Sequence, residues 1–277
     1  MCLGEILLDN NPIGIFDSGL GGLTVMKEVI SQLPNENIVY FGDTARVPYG
    51  TRSHETIKKY ALQDANFLLK NDVKVIVAAC GTVSAVASGE FKDYKVPYFE
   101  MITPAAIAAV KATKTNKIGV IGTPATIKSC EHKHRILELL PAAQIFANAC
   151  PLFVPLVEEG ITDSNNFVLN EIAKKYLLPL KEQNIDTLIL GCTHYPILSD
   201  VISKIMGNKI TLINPGEELA FSLKNYLTDN DLCAENKTPK HNFFVSDMTV
   251  SFQKTARFLL DENINELNAK QVDINKI

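Results

Sequence analysis

The stretch Leu188-Ile189-Leu190-Gly191-Cys192-Thr193-His194 runs from four apolar or small residues into a thiol, a hydroxyl and an imidazole. A continuous apolar run of this length is typical of a parallel strand that is buried on both faces. A second stretch, Val75-Ile76-Val77-Ala78-Ala79-Cys80-Gly81-Thr82, has the same form and also ends in a cysteine. We therefore expect two buried strands, one in each half of the chain, that each carry a thiol at the carboxyl end.

Strand and helix patterns alternate along both halves of the chain. Strands are predicted at 13–16, 38–41, 73–79, 97–102, 118–122, 144–149, 187–192, 210–213 and 243–245, and helices at 24–33, 55–70, 83–91, 167–180, 219–227 and 250–260. Two further helices should begin at Thr103-Pro104 and Thr123-Pro124, where a hydroxyl N-cap precedes proline. This alternation predicts an α/β protein with two parallel sheets. Since ligands bind beyond the carboxyl ends of parallel strands, both thiols should reach one cleft if the halves face each other.

The composition is that of an ordinary globular protein. The 277 residues are 46% hydrophobic and 21% charged, with no tryptophan and a net charge of −4. Because there is no basic footprint, direct binding to nucleic acid is not expected. The first residues lack a basic segment followed by an apolar one, and no stretch approaches a membrane span. We expect a cytoplasmic protein without membrane association.

The cysteines do not form a disulfide or metal-binding pattern. Six are scattered along the chain without any Cys-x-x-Cys pair, so reduced thiols and no metal site are expected. Four of them have no neighbours that suggest chemistry, and we interpret them as small hydrophobic residues. These are Cys2, Cys130, Cys150 and Cys233.

Other polar positions have both a structural and a functional interpretation. The turn from Gly19 to Thr24 is rich in glycine, but a dinucleotide-binding turn has glycine where Thr24 stands, so nucleotide binding is a weak alternative. The amides at this helix start could still hold a carboxylate. Asp17 with Ser18 could simply form a turn. His194 could be structural or could stabilise a thiolate on Cys192.

Two strand-end thiols favour proton transfer over hydrolysis. The Gly-x-Ser-x-Gly elbow of serine hydrolases is absent, and a cysteine hydrolase needs one nucleophile rather than two. Inversion of a carbon centre needs one group to remove a proton from one face and another to return it on the opposite face. Thiols suit this task because their ordinary pKa, roughly 8.5, can be tuned toward either the acid or the base form.

Several motifs together resemble those of the glutamate racemases, in the aspartate/glutamate racemase family. The resemblance extends from about residue 13 to residue 227. The histidine after Cys192-Thr193 favours glutamate racemases over aspartate racemases. The motifs are Asp17-Ser18-Gly19-x-Gly21-Gly22, Gly42-Asp43-Thr44-Ala45-Arg46-x-Pro48-Tyr49-Gly50, Ala79-Cys80, Pro151-Leu152-Phe153-Val154-Pro155-Leu156-Val157-Glu158 and Gly191-Cys192-Thr193-His194-Tyr195-Pro196.

The resemblance implies a cofactor-independent enzyme that interconverts L- and D-glutamate and supplies D-glutamate for peptidoglycan synthesis. It also implies a homodimer of subunits with two pseudo-symmetric α/β domains and the site in the cleft between them. We place one domain at 12–102 plus 215–277 and the other at 103–214. By position, Cys80 and Cys192 are the acid/base pair, assisted by Asp17, His194 and Glu158. The implied substrate-binding residues are Asp17, Ser18, Pro48, Tyr49, Gly50, Gly81, Thr82, Thr193 and His194, through hydroxyls and backbone amides.

Position 81 departs from the family pattern, which has asparagine where this chain has Gly81. Loss of one hydrogen bond to a charged ligand costs about 1.5–3 kcal/mol, so we expect that asparagine at position 81 would lower KM or raise turnover. The departure leaves two alternatives open. One is a racemase of aspartate or another amino acid, and the other is a binding protein on a racemase scaffold, for instance one that contacts DNA gyrase. Paired thiols with a neighbouring histidine argue against a binding protein.

Overall fold

The computed structural model describes residues 9–248, 252–260 and 268–276, which form two parallel sheets flanked by helices. The strands are Ile13–Asp17 (β1), Ile38–Gly42 (β2), Val75–Ala78 (β3), Tyr98–Glu100 (β4), Lys117–Gly122 (β5), Gln144–Ala149 (β6), Thr187–Gly191 (β7), Thr211–Ile213 (β8), His241–Val245 (β9) and Ala269–Gln271 (β10). The helices are Leu23–Gln32 (α1), His54–Leu69 (α2), Gly81–Ala87 (α3), Ile102–Ala112 (α4), Pro124–Ser129 (α5), Glu131–Leu139 (α6), Phe153–Glu158 (α7), Phe167–Lys181 (α8), Ser199–Met206 (α9), Pro215–Asp229 (α10) and Phe252–Leu260 (α11). Short 3-10 helices lie at Tyr49–Thr51, Ser88–Phe91, Tyr195–Leu198 and Ile274–Lys276.

The sheets confirm the predicted fold class. One has the strand order β10-β9-β2-β1-β3-β4 and the other the order β6-β5-β7-β8, and every strand pair recorded in them is parallel. The strands β3 and β7, which precede the two thiols, are interior strands of different sheets. Each is buried along its whole length, because helices cover both faces of its sheet.

Helix α10 connects the two halves of the chain. It packs against α1, which flanks the six-stranded sheet, and against α4, which flanks the four-stranded sheet. Its inward face is formed by Leu219, Ala220, Leu223 and Leu227, which are all fully buried in the core that includes α1. Because α10 packs against a helix of each sheet, it joins the two sheets to each other.

The structure corrects several predicted element boundaries. Helix α4 begins at Ile102, and Thr103 is not its N-cap. The carboxylate of Glu100 takes that role instead, because it accepts hydrogen bonds from the amides of Ile102 at 2.5 Å and Thr103 at 2.8 Å. Helix α5 does have the predicted Thr123 cap. Helix α10 begins at Pro215, four residues before the predicted start.

Sequence analysis missed the helices α6 and α9 and the strand β10, and it left the segment 151–160, which contains α7, open between a loop and a short helix. Strand β10 is a three-residue polar strand at the edge of its sheet, where a short and exposed strand carries no hydrophobic alternation. The predicted helix at 250–260 is described from Phe252 onward, and residues 250 and 251 lie outside the described residues. In the described parts of the chain, no helix is long and apolar enough to cross a bilayer.

Candidate active site

A cavity of about 350 Å³ opens between the carboxyl ends of the two sheets. Every residue that the sequence analysis selected as a site residue lines it: Asp17, Ser18, Pro48, Tyr49, Gly50, Cys80, Gly81, Thr82, Glu158, Cys192, Thr193 and His194. Nine further lining residues were not selected: Gly19, Val47, Thr51, Thr123, Pro124, Pro151, Val154, Pro155 and Tyr195. The cavity thus brings both thiols and their neighbouring polar groups to one place.

Cys80 lies at the end of β3, at the N-cap position of α3. Its side chain is buried, and Sγ is 3.5 Å from the hydroxyl oxygen of Ser18, to which it donates. Burial, followed by the nearby carboxylate of Asp17, raises the pKa of the Cys80 thiol to about 12. At neutral pH this thiol is therefore held in its protonated form, ready to give up a proton.

Asp17 ends β1 beside Cys80 and is almost completely buried. Its Oδ2 accepts hydrogen bonds from the amides of Gly19 and Gly22, both at 3.0 Å, whereas its Oδ1 has no hydrogen-bond partner among the described residues. Burial raises the pKa of Asp17 in spite of these amides and of nearby His194. Asp17 therefore lines the cavity with a carboxyl group in which one buried oxygen has no hydrogen-bond partner.

Cys192 has a different partner. Its Sγ lies 3.8 Å from Nδ1 of His194, and Nε2 of the same ring lies 3.2 Å from Oε1 of Glu158. Burial lowers the pKa of His194, but the hydrogen bonds to Cys192 and Glu158 outweigh it and raise that pKa to about 10. Glu158 is half-exposed, yet it does not simply face solvent, because it holds the outer nitrogen of a buried imidazole.

The glycine-rich turn packs closely against these groups. A Cβ on Gly21 would lie 2.3 Å from Cε1 of His194, and one on Gly22 would lie 2.5 Å from Cβ of Asp17. The carboxylate held by the amides of this turn is that of Asp17 itself. At the start of α1, the hydroxyl of Thr24 is 3.0 Å from the carbonyl oxygen of Thr193. Glycine at positions 21 and 22 thus lets protein pack on protein, which argues against the alternative of a dinucleotide-binding turn.

Tyr49 lines the cavity, but its hydroxyl points away from it. The hydroxyl contacts the buried carboxylates of Asp43 and Asp64. These contacts argue against a role of this hydroxyl in binding substrate, so the predicted role of Tyr49 would fall to its backbone. Sequence analysis missed this direction because the carboxylate of Asp64 comes from a distant helix, α2.

Thr123 is the main residue that sequence analysis overlooked. Its hydroxyl lies 3.0 Å from that of Thr82, and a Cβ on Gly50 would lie 2.7 Å from Cβ of Thr123. Thr123 therefore extends from the four-stranded sheet to two residues next to the six-stranded sheet. The sequence did offer a reason to select Thr123 as a site residue. It directly follows β5 and caps a helix, just as polar residues follow β1 and β3.

Gly81 makes a close contact across the cleft. A Cβ at this position would lie 2.5 Å from the carbonyl oxygen of Gly191 and 3.2 Å from its carbonyl carbon. An asparagine there would collide with backbone, which cannot move aside as a flexible side chain can. This contact argues against the expectation that asparagine at position 81 would improve the site, and that expectation stays a prediction.

The cavity wall contains no lysine or arginine among the described residues that line it. The ionisable residues that line it carry two thiols, two carboxyl groups, one imidazole and two phenols, and its other polar groups are hydroxyls and backbone. Within the described residues there is also no cluster of three or more side chains suited to a metal ion. An anionic ligand would have to rely on neutral hydrogen-bond donors and on a protonated His194.

Comparisons with known proteins agree with this arrangement. Residues 13–221 match the family described as Asp/Glu/Hydantoin racemase. A glutamate racemase of Thermoanaerobacter pseudethanolicus is 44% identical over 269 residues, which is 97% of this chain and all of that protein. The crystal structure of glutamate racemase from Francisella tularensis in complex with D-glutamate has a TM-score of 0.90 and 39% identity, covering 98% of this chain and 100% of that one. A glutamate racemase isoform of Bacillus anthracis has a TM-score of 0.91 and 39% identity, covering 96% and 98%.

Proposed function

The chain belongs to the Asp/Glu/Hydantoin racemase family, and we propose that it interconverts L- and D-glutamate, without a cofactor, by a two-thiol proton transfer. The observation that carries the mechanism is the position of Cys80 and Cys192. They follow the ends of strands in different sheets, line one cavity and have different polar partners. This is the arrangement that proton removal on one face and proton return on the other require.

In the proposed reaction, the thiolate of one cysteine takes the α-proton. The Cα–H bond breaks, an S–H bond forms, and the electron pair stays on Cα and the adjoining carboxylate. The other cysteine then gives its proton to the opposite face of Cα and becomes the thiolate. In the reverse direction the two thiols exchange roles, so no proton is gained or lost overall.

The neighbouring groups would support these steps. Asp17 lines the cavity beside Cys80 and has a raised pKa, so it can hold a proton close to that thiol. His194 is within reach of Cys192 for proton exchange, and Glu158 stabilises its protonated form. A thiolate alone is a weak base for an amino-acid α-proton, so stabilisation of the developing negative charge is essential.

The substrate carboxylates would be bound mainly by neutral donors. The hydroxyls of Ser18, Thr82 and Thr193 line the cavity, together with the backbone of Tyr49 and Gly50. We extend this proposed role to the backbone amide of Gly81, whereas Pro48 has no N–H to donate and would contribute only its ring and its carbonyl oxygen. The relatives with 42–45% identity are named glutamate racemases, which favours glutamate over aspartate as the substrate. The retained thiols, each with a polar partner, favour an enzyme over a binding protein.

The wider role remains part of the same proposal. The product D-glutamate would serve peptidoglycan synthesis in the cytoplasm, and the enzyme would act as a homodimer. We propose that its domains comprise 12–102 with 215–277 and 103–214, which assigns the six-stranded and the four-stranded sheet to separate units. An interaction with DNA gyrase stays a prediction.

Circular dichroism of D-glutamate, incubated with the purified protein and no added cofactor, tests the proposal. The wild type should bring the optical signal to zero as the racemate forms. Cys80→Ala and Cys192→Ala should each abolish this change, whereas Cys130→Ala should not, because Cys130 is exposed and outside the cavity. A wild type that leaves both glutamate enantiomers unchanged would refute the proposed activity. Activity retained by either active-site variant would refute the two-thiol mechanism.

A further inference from the structure

A buried polar cluster lies directly behind the cavity wall that Tyr49 forms. It contains the carboxyl groups of Asp43 and Asp64, which are both 0% exposed, and the guanidinium of Arg46. Neither aspartate lines the cavity. The cluster is therefore outside the proposed chemistry, but it is bonded to a residue of the site.

Asp43 is surrounded by hydrogen-bond donors. Ser246 donates its hydroxyl to Oδ1 at 2.7 Å, and Arg46 donates Nε–H to Oδ2 at 2.5 Å. The hydroxyl of Tyr49 also contacts Oδ2. Three donors directed at one carboxyl group fit an ionised carboxylate, which only accepts hydrogen bonds.

The hydroxyl of Tyr49 contacts Asp64 as well as Asp43. Its oxygen is 2.9 Å from Oδ2 of Asp64, but a phenol has only one hydrogen to donate. If that hydrogen goes to Asp43, two oxygen lone pairs would face each other at Asp64 unless Asp64 itself carries a proton. A proton on Oδ2 of Asp64 converts this contact into a hydrogen bond to Tyr49.

Charge balance requires the same proton. Arg46 donates Nη2–H to Oδ1 of Asp64 at 2.9 Å, so one guanidinium is shared between two buried carboxyl groups. With both ionised, the three groups would carry a net negative charge with no exposure of the carboxylates to solvent, which is costly. Burial and then the nearby charge of Asp43 raise the pKa of Asp64 well above its ordinary value. A neutral Asp64 leaves an ionised Asp43 balanced by Arg46.

We propose that Asp64 is held as a neutral acid and is a positioning residue, which fixes Tyr49 and so the wall of the cavity from Pro48 to Gly50. The proposal rests on the proposed function for its kinetic consequences. The bonds from α2 hold the wall from behind, while Gly50 packs against Thr123 on the opposite side of the cleft. Arg46 is itself held by Gln63 of α2, which accepts a hydrogen bond from Nη1 at 2.5 Å.

Two matched substitutions test the protonation state. Asp64→Asn replaces the neutral acid with an amide that still donates to Tyr49 and accepts from Arg46, so KM and kcat should stay within about twofold of the wild type. Asp43→Asn makes the same chemical change, but it removes the charge that balances Arg46 and directs an NH₂ group at donors. It should raise KM about 10- to 100-fold and lower Tm. Equal effects of the two substitutions would overturn the assignment of the proton to Asp64.

Asp64→Leu tests the positioning role, because it removes both hydrogen bonds and keeps a side chain that branches at Cγ. We expect KM to rise about 10-fold or more with a smaller change in kcat, and Asp64→Asn to be the variant that restores KM. A folded Asp64→Leu variant with a lower Tm but an unchanged KM would show a merely structural role and overturn the proposal.

Infrared spectroscopy separates this proposal from the proposed function. At pH 7 the wild type should show a protonated carboxyl C=O band that Asp64→Asn lacks, whether or not the protein racemises glutamate. Absence of that difference band would overturn the neutral acid. A wild type with the band but without racemase activity would refute the proposed function and leave the assignment of the proton in place.

Discussion

Gly81→Ala tests whether the contact between the two strand ends sets the position of the thiols. The new Cβ would lie 2.5 Å from the carbonyl oxygen of Gly191, and ordinary van der Waals contact begins near 3.4 Å, so the two backbones must separate by about 0.9 Å. Gly81 follows Cys80 directly, and Gly191 directly precedes Cys192. Any separation at this contact is therefore transmitted to both thiols.

The expected loss follows from the size of this displacement. A misplacement of about 1 Å in reacting groups costs on the order of 100-fold in rate. Because the equilibrium constant between enantiomers is one, kcat/KM must fall equally for L- and D-glutamate, by about 100-fold. The strain should also lower the free energy of unfolding by about 1–3 kcal/mol, as overpacking does.

Gly89→Ala is the matched control. It makes the same substitution in the 3-10 helix after α3, where a Cβ would meet no atom within 4 Å. Its kcat/KM should equal that of the wild type, and its unfolding free energy should be unchanged or higher by about 0.4–1 kcal/mol. Circular dichroism gives the rates for both enantiomers, and thermal unfolding shows that each variant is folded.

Retention of full kcat/KM by a folded Gly81→Ala variant would contradict the argument. So would a higher kcat/KM for Gly81→Asn, since that side chain carries the same Cβ. A loss confined to KM would place the effect on substrate binding, and the proposed link between Gly81 and the spacing of the thiols would be wrong.

Two further predictions concern His194 and its surroundings. Glu158→Gln should lower the pKa of His194 from about 10, because it removes the carboxylate on Nε2. A histidine whose pKa is raised on folding stabilises the folded state fully below its ordinary pKa near 6.5, and this stabilisation is lost as the pH rises through 10. Between pH 6.5 and pH 10, Tm should therefore fall less in the variant than in the wild type. An equal fall in both proteins would contradict the assignment. Thr24→Val keeps the shape but removes a hydroxyl whose single hydrogen is shared between the carbonyl oxygens of Gly21 at 2.8 Å and Thr193 at 3.0 Å, so it should lower the free energy of unfolding by about 0.5–1.5 kcal/mol and lower kcat. Denaturant unfolding with steady-state kinetics checks this, and an unchanged kcat would show that the bond is not needed to position the site.

The strand-end thiols could be predicted from sequence because their signal is local. A buried parallel strand reads as an uninterrupted apolar run, and the first polar residue after it lies at the carboxyl edge of the sheet. Cys80 and Cys192 both follow this rule. Asp17 and Thr123 follow it as well, at the ends of β1 and β5.

The rest of the site depends on contacts between distant segments, and sequence patterns do not report these. The role of Gly21 depends on a histidine more than 170 residues further along the chain. The direction of the Tyr49 hydroxyl is decided by a carboxyl group on α2. Helix α4 begins before the predicted position, because the carboxylate of Glu100 caps its first amides in place of the hydroxyl of Thr103.

Glycine at three positions explains how closely the two sheets approach each other at the site. Gly21 faces His194, Gly50 faces Thr123 and Gly81 faces the carbonyl of Gly191, and at each of them a Cβ would lie 2.7 Å or less from an atom beside the other sheet. None of the three has a positive φ, so close approach rather than backbone conformation requires glycine there. A Gly-rich sequence is usually taken to indicate either turns or phosphate binding, and here it indicates close packing in which one partner of each contact has no side chain.

The different partners of the two thiols follow from the chemistry of an enantiomer pair. In the proposed reaction each turnover converts one enzyme form into another, each with one thiolate and one thiol, so both forms must be accessible. His194 can give a proton to Cys192 or receive one from it. Asp17 acts in the opposite direction on Cys80, because its charge raises the pKa of that thiol and favours the protonated form. Two buried thiols without polar partners would both stay protonated, because burial alone disfavours the thiolate. The imidazole beside Cys192 and the carboxyl group beside Cys80 therefore bias the pair toward one thiolate and one thiol.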